Sequence, residues 1–180
     1  EAVTIARRAR TAGAPIRLHL PLSRATDADR KALEQVVATL VANQAVTASL
    51  VFSLPHGEWK QLGAPEKRAL NEFHKSGAGF VMNHTGSLRI DFAELQGLGF
   101  DTVRFDATRF LTQPESLTDL YSGDIAPYAR RFEIGLCATG VIDEQQLLSL
   151  FEDGIALVQG PHVGRPGPVR ADLLGEQRRA

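Results

Sequence analysis

Six short apolar or β-branched runs punctuate the chain: Ile16 to Leu22, Ser49 to Pro55, Gly79 to His84, Thr102 to Asp106, Phe132 to Ala138 and Ile155 to Gly160. Longer amphipathic segments separate them, and each run with its following segment occupies roughly 25–30 residues, the length of a βα unit. Strands separated by helices imply parallel pairing with right-handed crossovers, because the chain must return across a face of the sheet. The pattern predicts an α/β fold, either a barrel or an open sheet.

The best helical stripe lies between the first two runs, where Leu33, Val36, Val37, Leu40 and Val41 fall on one face. Thr26 with Asp29 supplies its capping signal. Pro65 suits a first helical turn, Leu70 and Phe73 point inward together, and Gly77 ends that helix. Leu95, Leu98 and Gly99 mark a shorter helix leading into the run at Thr102. Residues 115–131 are predicted to break or kink at Gly123 and Pro127. Asp143 followed by Gln146 reads as an N-terminal cap ahead of Leu147, Leu148, Leu150 and Phe151, with Gly154 as the stop. The stretch after Gly160 is too rich in Pro and Gly for regular structure and predicts a shaped loop.

Composition narrows the function classes. The 180 residues, 43% of them hydrophobic, support one sizeable core, and a single domain is expected over residues 1–180. Twenty basic against twenty-one acidic side chains leave no long-range field to recruit DNA or RNA. Cys137 is the only cysteine, so neither a disulfide framework nor a cysteine-rich zinc site forms within the chain, and a reducing cytoplasmic compartment is expected. No stretch has the length of a transmembrane helix, so a membrane tether would come only from upstream sequence. A start at Glu1 without methionine leads us to expect a fragment.

At the ends of the runs the residues resemble those of a known family. Gln159-Gly160-Pro161-His162-Val163-Gly164-Arg165-Pro166-Gly167-Pro168 is similar to the QGY-x-F-x-[KR]-P-x-P signature that closes EAL domains, the bacterial cyclic-di-GMP phosphodiesterases and receptors. Ala138-Thr139-Gly140-Val141-Ile142-Asp143 with Gln146 resembles AEGVET-x-x-Q, Arg104-Phe105-Asp106 falls where KID stands, and Asn83-His84-Thr85-Gly86 where DDFG stands. Order and spacing agree from about Ile16 to Val169. The resemblance implies an EAL-type (β/α) TIM-like barrel in which one strand runs against the others. It also implies a missing N-terminal part, since the EAL tripeptide belongs to an earlier strand and six runs are present rather than eight.

Hydrolysis of a phosphodiester at such a site needs hard divalent cations held by carboxylate and amide oxygens. By resemblance, Pro21 replaces the asparagine of the family's NxS with Ser23 retained, Ser53 replaces a glutamate, Asn83 and His84 replace the two aspartates, and Thr139 replaces the glutamate of AEGVE. Arg104 stands for the catalytic lysine, and a guanidinium stays protonated and cannot act as a base. Asp106 alone survives; it is expected to pair with Arg104, Arg109 or another strand-end base in preference to a metal. Asn83 and His84 are expected to satisfy loop backbone rather than hold a metal. His19, His56, His74 and His162 have no metal-ligand spacing, and His56-Gly57-Glu58 lacks the cysteine pair of a zinc deaminase. Trp59 is expected to be a packing anchor. No catalytic residue, metal or cofactor is therefore expected.

In the family the closing loop helps bind a guanine base, which makes Gln159, Gly160, Arg165 and Pro166 candidate ligand-binding residues. The competing reading is that Gly and Pro only shape the rim. The leading expectation is a degenerate, enzymatically inactive EAL-like regulatory module, either a cyclic-di-GMP receptor or a protein-interaction scaffold, with a homodimer as one arrangement. Within the family, the altered segments and residues 166–172 resemble the TipF kind of flagellar-assembly regulator. The alternatives are an active cyclic-di-GMP phosphodiesterase and an unrelated TIM-barrel enzyme.

Overall fold

All six runs become strands in the computed structural model, which describes residues 1–14, 16–22, 30–165 and 167, with backbone alone at residues 30–33. The chain divides into two compact units, one of Glu1–Ser53 and Leu62–Phe80, the other of Leu54–Gln61 and Val81–Arg165. The elements are α1 (Ala2–Thr11), β1 (Leu18–Pro21), α2 (Arg30–Val41), α3 (Gln44–Thr47), β2 (Leu50–Pro55), α4 (His56–Trp59), α5 (Ala64–Lys75) and β3 (Gly79–Thr85). They continue with α6 (Phe92–Gly97), β4 (Phe100–Asp106), α7 (Ala107–Thr112), a 3-10 turn (Pro114–Ser116), α8 (Ser122–Arg130), β5 (Gly135–Thr139), α9 (Glu144–Glu152) and β6 (Leu157–Gln159). Hydrogen-bonded strand neighbours follow sequence order. The pairs β1/β2, β4/β5 and β5/β6 are parallel, as the alternating pattern requires.

In the first unit, β1 and β2 pair Leu18 with Leu50 and Pro21 with Ser53. The core is aromatic: Phe73 meets Phe52 edge-on at 5.2 Å between ring centroids, and Phe80 lies 6.2 Å from each of them. Leu40, Leu50 and Leu70 complete it, each at most 2% exposed. Pro65 sits in the first turn of α5, and Gly77 takes the left-handed conformation at φ +96 that lets the chain leave the helix. Arg7 and Arg10 of α1 donate to Asn43 Oδ1 and the Ala45 carbonyl. The capping signal expected at Thr26 lies outside the described residues.

In the second unit, Trp59 packs edge-on against Phe100 at 5.3 Å and is 7% exposed, as expected of an anchor. Phe92, Tyr128 and Phe132 form a second aromatic cluster with centroids 5.4–6.2 Å apart. Three helices begin on an aspartate whose side chain accepts a backbone N–H three residues on: Asp91 for α6, Asp106 for α7 and Asp143 for α9. Gly154 ends α9 at φ +75. The break predicted at Gly123 and Pro127 falls elsewhere. Both residues lie inside α8, and the interruption is the segment 117–121 ahead of it. Gly123 is only the second helical residue, and Pro127 removes a single bond, the one its nitrogen would give to the Gly123 carbonyl. The fifth run also starts later than predicted. Phe132 belongs to a turn in which Glu133 adopts φ +58, and β5 begins at Gly135.

Candidate functional site

Parallel register sets which side chains share a face. Residues two apart on a strand point the same way, so Arg104 and Asp106 of β4 share a face with Cys137 and Thr139 of β5. Arg104 is level with Cys137, and Asp106 is level with Thr139, which is in turn level with Gln159 of β6. Three of the residues singled out in the sequence therefore stand in one row across the ends of three strands. In the first unit Pro21 and Ser53 are level at the ends of β1 and β2. Pro21 is exposed and Ser53 is buried. Ser23 and Pro166 lie outside the described residues.

Asp106 and Thr139 of the row are engaged within the protein. Asp106 Oδ1 accepts the Arg109 backbone N–H at 2.7 Å, which makes this carboxylate the cap of α7. It thus meets Arg109 through the backbone, while the Arg109 guanidinium donates to the Gly86 carbonyl at 3.1 Å and to the Ser116 hydroxyl at 2.9 Å. Sequence reasoning foresaw a charge pair for Asp106; capping supplies instead a short-range partner on the next turn. Thr139 Oγ1 donates to the Phe105 carbonyl at 2.9 Å. Arg104 Nη1 donates to Asn83 Oδ1 at 3.2 Å, so the side chain expected to serve loop backbone receives a guanidinium.

His84, at the end of β3, is exposed and held at φ +51, a left-handed conformation that costs a non-glycine residue roughly 1–2 kcal/mol. It sits beside Thr85, which is buried. Among the described residues no three His, Cys, Asp or Glu side chains are grouped so as to hold a metal ion.

Cys137 joins the face without having been singled out. Burial pushes its thiol pKa up, and the neighbouring Arg104 guanidinium offsets part of that through its charge and a hydrogen bond. Two-residue periodicity from Thr139 would have found it once register was known. His56 is buried at the start of α4; its imidazole pKa is lowered by burial and then by Lys60.

The closing loop is built around Gly160. A Cβ at this position would fall 2.2 Å from the Val141 carbonyl oxygen and 2.3 Å from its nitrogen, so only glycine fits. Val141 N–H donates to the Gln159 carbonyl, and His162 N–H donates to the Val141 carbonyl, each at 3.1 Å. The two segments 138–143 and 159–162 therefore lock together by backbone. Gln159 and Arg165 are exposed on either side of this lock.

Solved structures share this architecture. The chain is similar to the PaMucR phosphodiesterase in its c-di-GMP complex, with 18% identity, 93% of this chain and 69% of that one covered, and a TM-score of 0.74. The EAL domain of Mycobacterium smegmatis DcpA gives 21% identity, coverage of 88% and 71%, and a TM-score of 0.68. The S helix-GGDEF-EAL structure of Vibrio cholerae LapD bound to c-di-GMP gives 18% identity and a TM-score of 0.70, over 87% of this chain. The chain spans 38% of that structure's length. No curated protein sequence matches. The model of the EAL domain family matches residues 1–166, and the chain therefore belongs to the EAL domain family, with the EAL-type α/β fold expected from its motifs.

Proposed function

We propose that the chain is an EAL module without phosphodiesterase activity, acting in cyclic-di-GMP signalling as a regulatory, protein-interacting unit. The observation that carries this reading is the contact of Arg104 with Asn83. A cation bound to the Asn83 amide oxygen would lie against a guanidinium. Repulsion at such a distance is on the order of 4 kcal/mol per unit charge at an effective dielectric constant near 20. Paired divalent cations need several anionic oxygens, and the row holds one carboxylate, Asp106, whose Oδ1 already caps a helix. The residues present do not fit a magnesium or manganese pair. Purified protein incubated with cyclic-di-GMP and either metal is expected to give no linear product; turnover at the rate of an active EAL enzyme overturns the reading.

Binding of cyclic-di-GMP without hydrolysis is a second reading, favoured by the exposed Gln159 and Arg165 beside the Gly160 lock. A guanidinium there can stack on a purine or hold a phosphate through its fork of donors. Calorimetry with cyclic-di-GMP separates the two readings. Heat that is lost in Gln159→Ala and Arg165→Ala identifies a receptor, and no heat at high protein concentration identifies a scaffold. A role in flagellar assembly rests on the resemblance of residues 166–172 and of the altered segments at residues 83–86 and 138–143 alone. The reading places the module in the cytoplasm; no helix among the described residues is long and apolar enough to cross a membrane.

A further inference from the structure

Two neighbouring segments of the second unit, residues 119–124 and 143–153, carry six acidic side chains and no Lys, Arg or His. The whole chain is nearly balanced at 20 basic to 21 acidic, so this acidity is local. The segments adjoin. Ser122 Oγ donates to Asp153 Oδ1 at 2.9 Å, and a Cβ on Gly123 would meet the Tyr121 ring at 3.4 Å and Asp153 Oδ1 at 3.9 Å. At this junction of α8 and α9 stand Tyr121, 76% exposed, and Leu120, 41% exposed. On α9 itself Leu148 and Phe151 are 56% and 48% exposed, although the helix buries Leu150 completely. They are three residues apart and share one face, with Glu144 and Glu152 one turn before and after Leu148.

Single exposed apolar side chains need no explanation, but four on two adjoining elements, framed by carboxylates, form a surface with a preferred partner. Of the nearby cations, Arg89 pairs with Asp119 at 2.7 Å, and Arg130 stands at the Gly154 end of α9, where it donates to the Gly154 carbonyl at 3.3 Å; α9 itself carries Glu144 and Glu152 and no basic side chain. We infer that this face docks a basic amphipathic helix of a partner protein. The partner's apolar stripe rests on Leu148, Phe151 and Tyr121, and its lysines or arginines reach Glu144 and Glu152. Nucleic acid and anionic membrane are repelled by the same charge. None of these residues is one of the strand-end positions, so the inference stands whether or not the module hydrolyses its family's substrate.

The test uses the whole chain and a fluorescein-labelled helical peptide of about 18 residues, leucine on one face and lysine on the other, read by anisotropy. We expect saturable binding that weakens at least about tenfold in the Leu148→Ser/Phe151→Ser variant and about as much in Glu144→Gln/Glu152→Gln. A peptide with glutamate for lysine is expected not to bind. Because the substituted residues are exposed, unchanged thermal unfolding of both variants confirms that folding is intact. Equal binding by wild type and the serine variant overturns the inference, as does absence of binding at low salt. Self-association in light scattering that the serine variant abolishes overturns it in favour of a second copy as occupant.

Discussion

The two units of the chain hold their helices by different means. In the second, Asp91, Asp106 and Asp143 each cap a helix through the side chain, while α4 and α8 start without such a cap. In the first, the starts of α1, α3 and α5 have no side-chain cap, and order comes from the Phe52, Phe73 and Phe80 cluster and from the arginines of α1. Local signals therefore write three helix starts of the second unit, whereas tertiary packing writes the first. The contrast also bears on chemistry, because a carboxylate that starts a helix has one oxygen committed to a backbone N–H. Asp106 is the example, since its Oδ1 accepts the Arg109 N–H that starts α7.

The contrast can be broken most forcefully at Phe73. Phe73→Ala empties the centre of the first unit and is expected to cost about 3–5 kcal/mol in denaturant unfolding; a loss below about 1 kcal/mol would show that packing does not dominate there. Gly160→Ala in the second unit drives a methyl into the Val141 backbone and is expected to cost about 3 kcal/mol. Gly57→Ala, with nothing within 4 Å, serves as its control. Asp143→Ala removes one cap and is expected to cost about 1 kcal/mol, visible as faster amide exchange at the start of α9. Exchange unchanged from wild type would remove the local-signal side of the comparison.

The smallest effect is the pH dependence set by His56. Its folded pKa lies below the ordinary 6.5, so the unfolded chain takes up a proton first as pH falls. The stability this burial allows is full above pH 6.5 and declines as pH drops below it. Unfolding midpoints at stepped pH are expected to fall less steeply below that point in His56→Gln than in wild type; parallel slopes would clear His56 of the role.

Much of this was legible because strands and caps leave local marks. All six apolar runs mark strands, and Asp143 with Gln146 announced a helix that the structure starts there, with the Gln146 Oε1 accepting the Ile142 N–H at 3.1 Å. Helix α1 escaped because its buried residues are Ala6 and Ala9, whose small side chains barely register in a hydrophobic pattern. Helix α7 escaped because its cap, Asp106, was read for charge rather than for the N–H three residues on. The Arg104 contact with Asn83 joins residues 21 apart on different strands, a pairing that depends on strand geometry rather than spacing. The Arg89 and Arg109 bonds to Glu115 and Ser116 carbonyls are likewise tertiary.

The Gly160 and Val141 interlock has a consequence for how such chains are found. Gly160 of the closing signature is fixed here by steric exclusion between two main chains, a constraint indifferent to nucleotides. Divergence can therefore erase every reacting group and leave that hallmark untouched, so a search keyed to it reports ancestry and architecture rather than chemistry.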